Sequence, residues 1–202
     1  MTPARRAAEA TEALRLALIG HARQLVNREG ASALTMRALA AEAGCATGLP
    51  YKVFADRQDL VLQVVQAELV RLQAASEELM ARVGTGTVGA NLGWFCHVIL
   101  DSTPVALIRE VASHDHLSSA VTAQVHSTGV GPGSFESGVG NYLAAEQKAG
   151  RIDEEIDTAA FGFVIAGAIH NLIMSGDAWP RPSRRQLLQR LAAIAAAIAP
   201  HS

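Results

Sequence analysis

His114-Asp115-His116, with His97, His126 and His170 elsewhere, brings the ligand types of a metal site together in one chain. Residues two apart do not share a helical face, and the other histidines stand at no ligand spacing, so the triplet reads as a surface loop. GVGPGS, Gly129 to Ser134, has the glycines of a phosphate cradle. It follows no strand pattern and lacks a lysine after its glycines, so it reads as a flexible connection or a pocket lid. Cys45 and Cys96 form no metal spacing or disulfide framework and read as small buried hydrophobes in a reducing compartment. No nucleophile, base and orienting group stand together, and no paired carboxylates share an apolar face. The expectation is no enzyme, no cofactor and no metal. What remains is GCATGLPYKVF, Gly44 to Phe54, where a turn glycine precedes a short polar run, a tyrosine and a lysine.

The elements around that stretch are helical. Leu14, Leu18, Ala22 and Leu25, flanked by Ile19 and Val26, make one helix face that Gly30 ends. Thr35 is placed to cap a short amphipathic helix carrying Met36, Leu39, Ala40 and Ala43, with Gly44 just past its end. Beyond Phe54, Asp56 precedes a long helix with Leu60, Val64, Ala67 and Val70 on one face, running to about Arg82 and stopped by Gly84 and Gly86. Further helices are predicted from Asn91 to Leu100, from Val105 to Ala112 with Thr103-Pro104 at its start, from Gly138 to Ala149, from Ile156 to Ser175, and from Arg184 to Ala199 with Ser183 as cap. The glycine-rich segment 129–140 either breaks a helix or restarts one near Phe135. No useful strand alternation appears, so the fold class is all-α.

The chain of 202 residues is half hydrophobic and moderately charged, a globular profile with room for one large core or a small module joined to a larger one. Residues 1–60 hold 8 Lys and Arg against 6 Asp and Glu, whereas the rest holds 9 against 13. This asymmetry permits a nucleic-acid surface at the N-terminal end. Arg5-Arg6 is followed by Glu9 and Glu12 rather than an apolar core, so no signal peptide is expected. The longest apolar run, Ala159 to Ile169, falls short of the roughly 20 residues of a membrane span. A cytoplasmic protein is expected.

Two short helices joined by a glycine turn are the plan of a helix-turn-helix, whose second helix enters the major groove. Leu18-Ile19, Ala22, Leu25-Val26, Gly30, Thr35, Arg37, Leu39-Ala40, Ala43, Gly44, Gly48, Tyr51, Phe54, Asp59 and Leu60 stand in one register. On these residues the chain resembles the tetracycline-repressor (TetR) family of one-component regulators. The resemblance implies a three-helix DNA-binding domain, residues 1–55, followed by a larger helical ligand-binding and dimerisation bundle, residues 56–202. It further implies a homodimeric repressor that leaves a palindromic operator when a small molecule binds. Two positions depart from the family pattern: Ala46, where a capping hydroxyl is common, and Pro50, where an apolar residue such as leucine is common. A cap at Thr47 reconciles them, because Pro50 then falls in the first turn, where its missing N–H has no partner to lose.

In this frame Thr35 and Arg57 meet phosphates at helix starts, and Tyr51 and Lys52 reach the DNA backbone. Thr47, Gly48 and Leu49 face base edges or a thymine methyl, Arg37 reads a guanine or holds a phosphate, and Arg5 and Arg6 form a mobile basic arm. The last helix has Leu187, Leu191, Ile194 and Ile198 on one stripe and Leu188, Ala192, Ala195 and Ala199 on another, so the last two helices are the expected homodimer interface. Trp94, Phe95, His97, Leu107, Phe135, Tyr142 and Phe161 are the candidates for lining an effector pocket, and so few polar groups point to a mostly apolar ligand. The competing readings are a constitutive dimeric or architectural DNA-binding factor without a ligand, and a helical enzyme.

Overall fold

The computed structural model describes residues 2–102, 107, 119–123, 132–174, 180 and 182–200. The described residues contain helices and turns and no strand, as the sequence predicts. They divide into two compact units, residues 1–69 with 102–127, and residues 70–101 with 128–202.

In the first unit, α1 (Pro3–Glu29) buries Leu18, Ile19, Ala22, Leu25 and Val26, the predicted face. Gly30 ends it at φ 86°, its N–H donating to the Val26 carbonyl. After a 3-10 turn (Ala31–Ala33), α2 (Met36–Glu42) starts on Thr35, whose hydroxyl oxygen accepts the Ala38 N–H at 3.1 Å. Gly44 takes φ 62°, a left-handed turn that a Cβ would strain, and this brings the Cys45 N–H to the Ala40 carbonyl at 2.9 Å. α3 (Arg57–Ala81) is capped by Asp56, which accepts the Asp59 N–H at 2.9 Å. Asp59 in return accepts the Ala55 N–H at 2.8 Å.

Leu34, Leu39, Phe54 and Leu60 close the core among these helices, joined by Leu107. Burying side chains of this size stabilises by about 1.5–3 kcal/mol each. Glu68 of α3, fully buried, pairs with Arg23 of α1, and Arg28 of α1 pairs with Glu42 of α2 at 2.6 Å. Arg28 holds the Glu42 carboxyl below the usual carboxylate range. That pair lies at the surface, so it orients the helices more than it stabilises them.

The second unit holds the later part of α3 with α4 (Val88–Leu100), α5 (Pro132–Lys148), α6 (Thr158–Met174) and α7 (Arg184–Ala197). Thr87 caps α4, accepting the Ala90 N–H, and Ser183 with Gln186 forms a reciprocal capping box on α7. Two helix pairs approach through glycine. Gly162 of α6 faces the backbone of Gly140 on α5, and Gly89 and Gly93 of α4 face Ala192 and Leu188 of α7. Leu187, Leu191 and Ile198 turn into the core. Leu188, Ala192 and Ala195 of the second α7 stripe thus face α4.

α5 is described from Pro132 onward, ahead of a restart near Phe135. Of the glycine-rich segment, 129–131 lie outside the described residues, as do His114-Asp115-His116, His126, Thr103-Pro104 and, Leu107 apart, the helix predicted from Val105 to Ala112. Among the described residues no group of His, Cys, Asp and Glu is placed to hold a metal, and no helix is long and apolar enough to cross a membrane.

A buried polar network pins the α3–α4 turn to α5. Glu146, fully buried, accepts from the Tyr142 hydroxyl at 2.6 Å and from the Gly84 N–H at 3.1 Å, and pairs with Arg151 at 3.2 Å. Arg151 donates to the Gly86 carbonyl at 2.7 Å. Asn91 donates to the Tyr142 oxygen at 3.0 Å and to the Thr85 carbonyl at 2.9 Å. Each buried group finds a partner, which is the condition for placing a carboxylate in a core.

Candidate functional site

The stretch from Ala46 to Phe54 settles where the third element starts. The Ala46 carbonyl accepts the Leu49 N–H at 2.8 Å, closing a turn, and the helical segment that follows has Leu49, not Thr47, at its N-cap position. Thr47 makes no capping hydrogen bond among the described residues. Pro50 stands where an N–H would close an α-type bond back to Ala46. Proline has no N–H, so the turn closes one residue tighter. The chain continues as a 3-10 turn (Pro50–Lys52), with Lys52 bonded to Leu49 at 3.0 Å and Val53 to Pro50 at 3.1 Å. The predicted third α-helix is thus a tightened, mostly 3-10 segment. Pro50 itself is buried and anchors it against the core, with Val53 and Phe54 beside it.

Burial on one side leaves the other side outward. Thr47, Gly48, Tyr51 and Lys52 are exposed, at spacings that share a face, and Tyr51 is 59% exposed despite its ring. Leu49 is half-buried at the edge of this face. Thr35 and Arg37, at the start of α2, are exposed as well. The side chains of Arg37 and Lys52 have no hydrogen-bond or ion-pair partner among the described residues. The cations that would neutralise phosphate are therefore available, and a phenol and a hydroxyl stand beside them.

Two expected contacts are corrected. Arg57 points into its own unit, donating from Nε to the Leu34 carbonyl at 2.7 Å and from a terminal nitrogen to the Ala31 carbonyl at 3.2 Å. It satisfies the acceptors of the turn before α2, so it positions the reader. Arg5 and Arg6 are not a mobile arm: they lie in the first turns of α1, and Arg5 pairs with Glu9 at 2.9 Å. Proline at the first helical position favours that extension.

The candidate pocket residues do not come together. Leu107 belongs to the core of the first unit. In the second unit Phe95 is buried against Phe135, ring centroids 5.4 Å apart, and Tyr142 is held in the polar network. Trp94 lies under the Arg82 guanidinium, 3.9 Å from its centroid, and Phe161 is half-buried beside the second core. Cys96 is buried, and its thiol is pushed up to about 12 by desolvation, so it is inert at neutral pH.

His97 alone among the seven lines a described cavity, of about 330 Å³, with Leu100 and Asp101 of α4's end, Leu172 of α6, Pro182, and Arg184 and Leu187 of α7. Sequence reasoning missed these other six. The only local signal was the Ser183-to-Gln186 box that marks where α7 begins.

Residues 18–64 match the family model for bacterial regulatory proteins of the tetR family. No curated protein gives a significant match to the chain. Among solved structures, a TetR-family transcriptional regulator from Agrobacterium tumefaciens superposes at TM-score 0.67 with 15% identity, covering 94% of this chain and 100% of that one. A transcriptional regulator from Saccharomonospora viridis in complex with choline gives 0.66 at 15% identity, covering 93% and 98%. A TetR transcriptional regulator from Streptomyces coelicolor gives 0.57 at 22% identity, covering 93% and 99%. At these identities the structures establish the fold. The family itself rests on the matched segment, which contains α2, the glycine turn and the outward face described above. Residues 18–64 thus carry the helix-turn-helix of the tetR family of bacterial regulatory proteins, which supports a DNA-binding transcriptional regulator.

Proposed function

We propose that the protein is a homodimeric repressor that leaves a palindromic operator when a small molecule with a mostly apolar body binds its larger helical part. The observation that carries the DNA contact is the outward face of Thr47, Gly48, Tyr51 and Lys52, with unpaired Arg37 nearby. Thr35, at the start of α2, adds a hydroxyl beside unengaged helix N–H groups, and Leu49 offers an apolar edge to a thymine methyl. Functionally we divide the chain at residue 55, reader before and sensor after, with α3 shared between the two.

For the dimer, α6 leaves Ala160, Phe163, Val164, Gly167 and Ala168 exposed along one stripe, Phe163 at 64% and Val164 at 56%. Exposed apolar rows of this kind mark interaction surfaces. Ala193 and Ala196 on α7 are small enough to let a second copy approach, so the last two helices remain the proposed interface. Two readers on a two-fold axis then require two half-sites one helical turn apart, or a multiple of that. α3, covalently joined to the reader, is the proposed lever by which a bound ligand changes the reader separation.

DNA selected by the protein from a random pool gives the test. The selected sites should be palindromic, Arg37→Gln and Lys52→Gln should weaken binding, and Phe163→Glu should yield monomers in sedimentation with weakened binding. Selected sites without symmetry would overturn the dimeric reading. The burial of Phe95 and Tyr142 favours a second reading, a constitutive dimeric factor with no ligand. The cavity beside His97 separates the two.

A further inference from the structure

The cavity of about 330 Å³ sits where the C-terminal ends of α4 and α6 meet the N-terminal end of α7. Its volume lies at the lower end of the ~300–1,000 Å³ of small-molecule sites, so it suits a short ligand. Leu100, Leu172 and Leu187 supply apolar wall, and Leu187 is buried. The polar groups are His97, Asp101 and Arg184.

Three features give the cavity a preference for negative charge. First, Arg184 has no hydrogen-bond or ion-pair partner among the described residues, Asp101 included, although both line the same space. A guanidinium has five donors in a planar fork matched to a carboxylate. Second, Arg184 is the first residue of α7, a helix of 14 residues, whose positive end adds to its charge. Third, the Nε2 of His97 is shielded from solvent yet lacks a partner among the described residues. Buried polar atoms in native proteins have partners, so this nitrogen is a hydrogen-bonding group that the described residues leave for another.

The imidazole reports the local potential. Its pKa lies below the ordinary histidine range, first from desolvation and then from Arg184, with Asp101 opposing less strongly. Arg184 and Asp101 are both exposed, at the start of α7 and the end of α4, and of the two Arg184 acts more strongly on the imidazole. His97 is thus a neutral hydrogen-bonding group at pH 7.

We propose that this cavity binds a small monocarboxylate, its carboxylate on Arg184 and the His97 Nε2 and its short aliphatic or aryl body against Leu100, Leu172 and Leu187. The site joins α4 to both helices of the proposed dimer interface. Its use as the effector site rests on the ligand-responsive reading above; the binding chemistry does not.

The test uses the full-length protein and calorimetric titration with hexanoate, benzoate and phenylacetate, set against hexanamide, benzamide and benzylamine. At least one carboxylate should bind saturably, about 10- to 100-fold more tightly than its amide, the range expected for a charge-assisted pair. Arg184→Gln should abolish that difference, while Arg185→Gln, at the neighbouring position outside the cavity lining, should preserve it. Carboxylates binding no better than their amides, no saturable binding by any of them, or preference surviving Arg184→Gln would overturn the site. A second titration, of the protein on its selected DNA with the bound carboxylate at saturation, addresses the other reading. Release supports both, whereas binding at Arg184 without release leaves the carboxylate site standing and overturns its role as an effector site.

Discussion

Gly89 of α4 and Ala192 of α7 meet backbone to backbone: a Cβ on Gly89 would lie 2.8 Å from the Ala192 Cα and 3.3 Å from its amide nitrogen. Neither atom can move without shifting a helix. Gly93, one turn on, faces instead the Cδ2 end of the Leu188 side chain, which is 36% exposed and free to change rotamer. Alanine in a helix interior gains about 1 kcal/mol over glycine, while overpacking costs about 1–3 kcal/mol. Gly89→Ala should therefore lower stability in urea denaturation, and Gly93→Ala should be near neutral or slightly stabilising. Equal effects at the two sites would mean that the α4–α7 contact is looser than this geometry.

Arg57 gives a prediction that separates support from contact. Its bonds to the Leu34 and Ala31 carbonyls involve a charged donor, and Leu34 is fully buried. Arg57→Gln should cost about 1.5–3 kcal/mol of stability. The slope of DNA affinity against salt should stay unchanged, because no phosphate contact is lost. Lys52→Gln should show the opposite pattern, with stability kept and the slope reduced by about one. A salt slope that falls in Arg57→Gln, with stability intact, would return Arg57 to the DNA.

What the sequence made legible was what neighbouring residues decide. Thr35, Asp56 and Ser183 cap the helices they were expected to cap, and Gly30, Gly44 and Gly150 take the positive φ of helix ends, because cap chemistry needs only the next few residues. Arg57 was misread because its partners lie more than twenty residues away, and an arginine at a helix start looks the same whether it faces phosphate or carbonyl. Leu188 and Ala192 show the same limit: a small-residue stripe fits a partner chain or a glycine face of its own chain, and only packing chooses. The aromatic candidates for the pocket went the same way. Large apolar side chains more often fill a core than line a site, and Phe95 and Tyr142 fill theirs.

Tyr142, expected at a ligand, instead bridges Asn91 and Glu146. Tyr142→Phe should cost about 1–3 kcal/mol, since the buried Glu146 loses a donor. A double-mutant cycle with Glu146→Gln should show coupling of about 0.5–3 kcal/mol. The pH dependence follows from burial, and then the Glu146 hydrogen bond, raising the phenol pKa above its ordinary value. The folded state holds this proton where the unfolded chain has released it. The tyrosine's contribution is thus present below about pH 10, the unfolded value, and declines as pH rises through the folded one. Tyr142→Phe should lack that alkaline decline. Additive mutants and identical alkaline profiles would contradict the network.

Ala46 and Thr47 provide the sharpest check on the reader. The Ala46 carbonyl closes the first turn, but its side chain caps nothing, so the N–H of Gly48 lacks the acceptor that a hydroxyl at 46 would provide. Ala46→Ser should add about 1 kcal/mol of stability, within the range measured for N-caps. Thr47→Ala removes an exposed hydroxyl with no capping role, so stability should move by less than about 0.5 kcal/mol. Its effect should fall on DNA instead: a residue on the outward face that reads a base edge loses about 1–3 kcal/mol of discrimination at one operator position. The two substitutions thus divide folding from reading at adjacent positions. If Thr47→Ala destabilises the fold while Ala46→Ser does nothing, the cap lies at 47, and Pro50 sits harmlessly in the first turn.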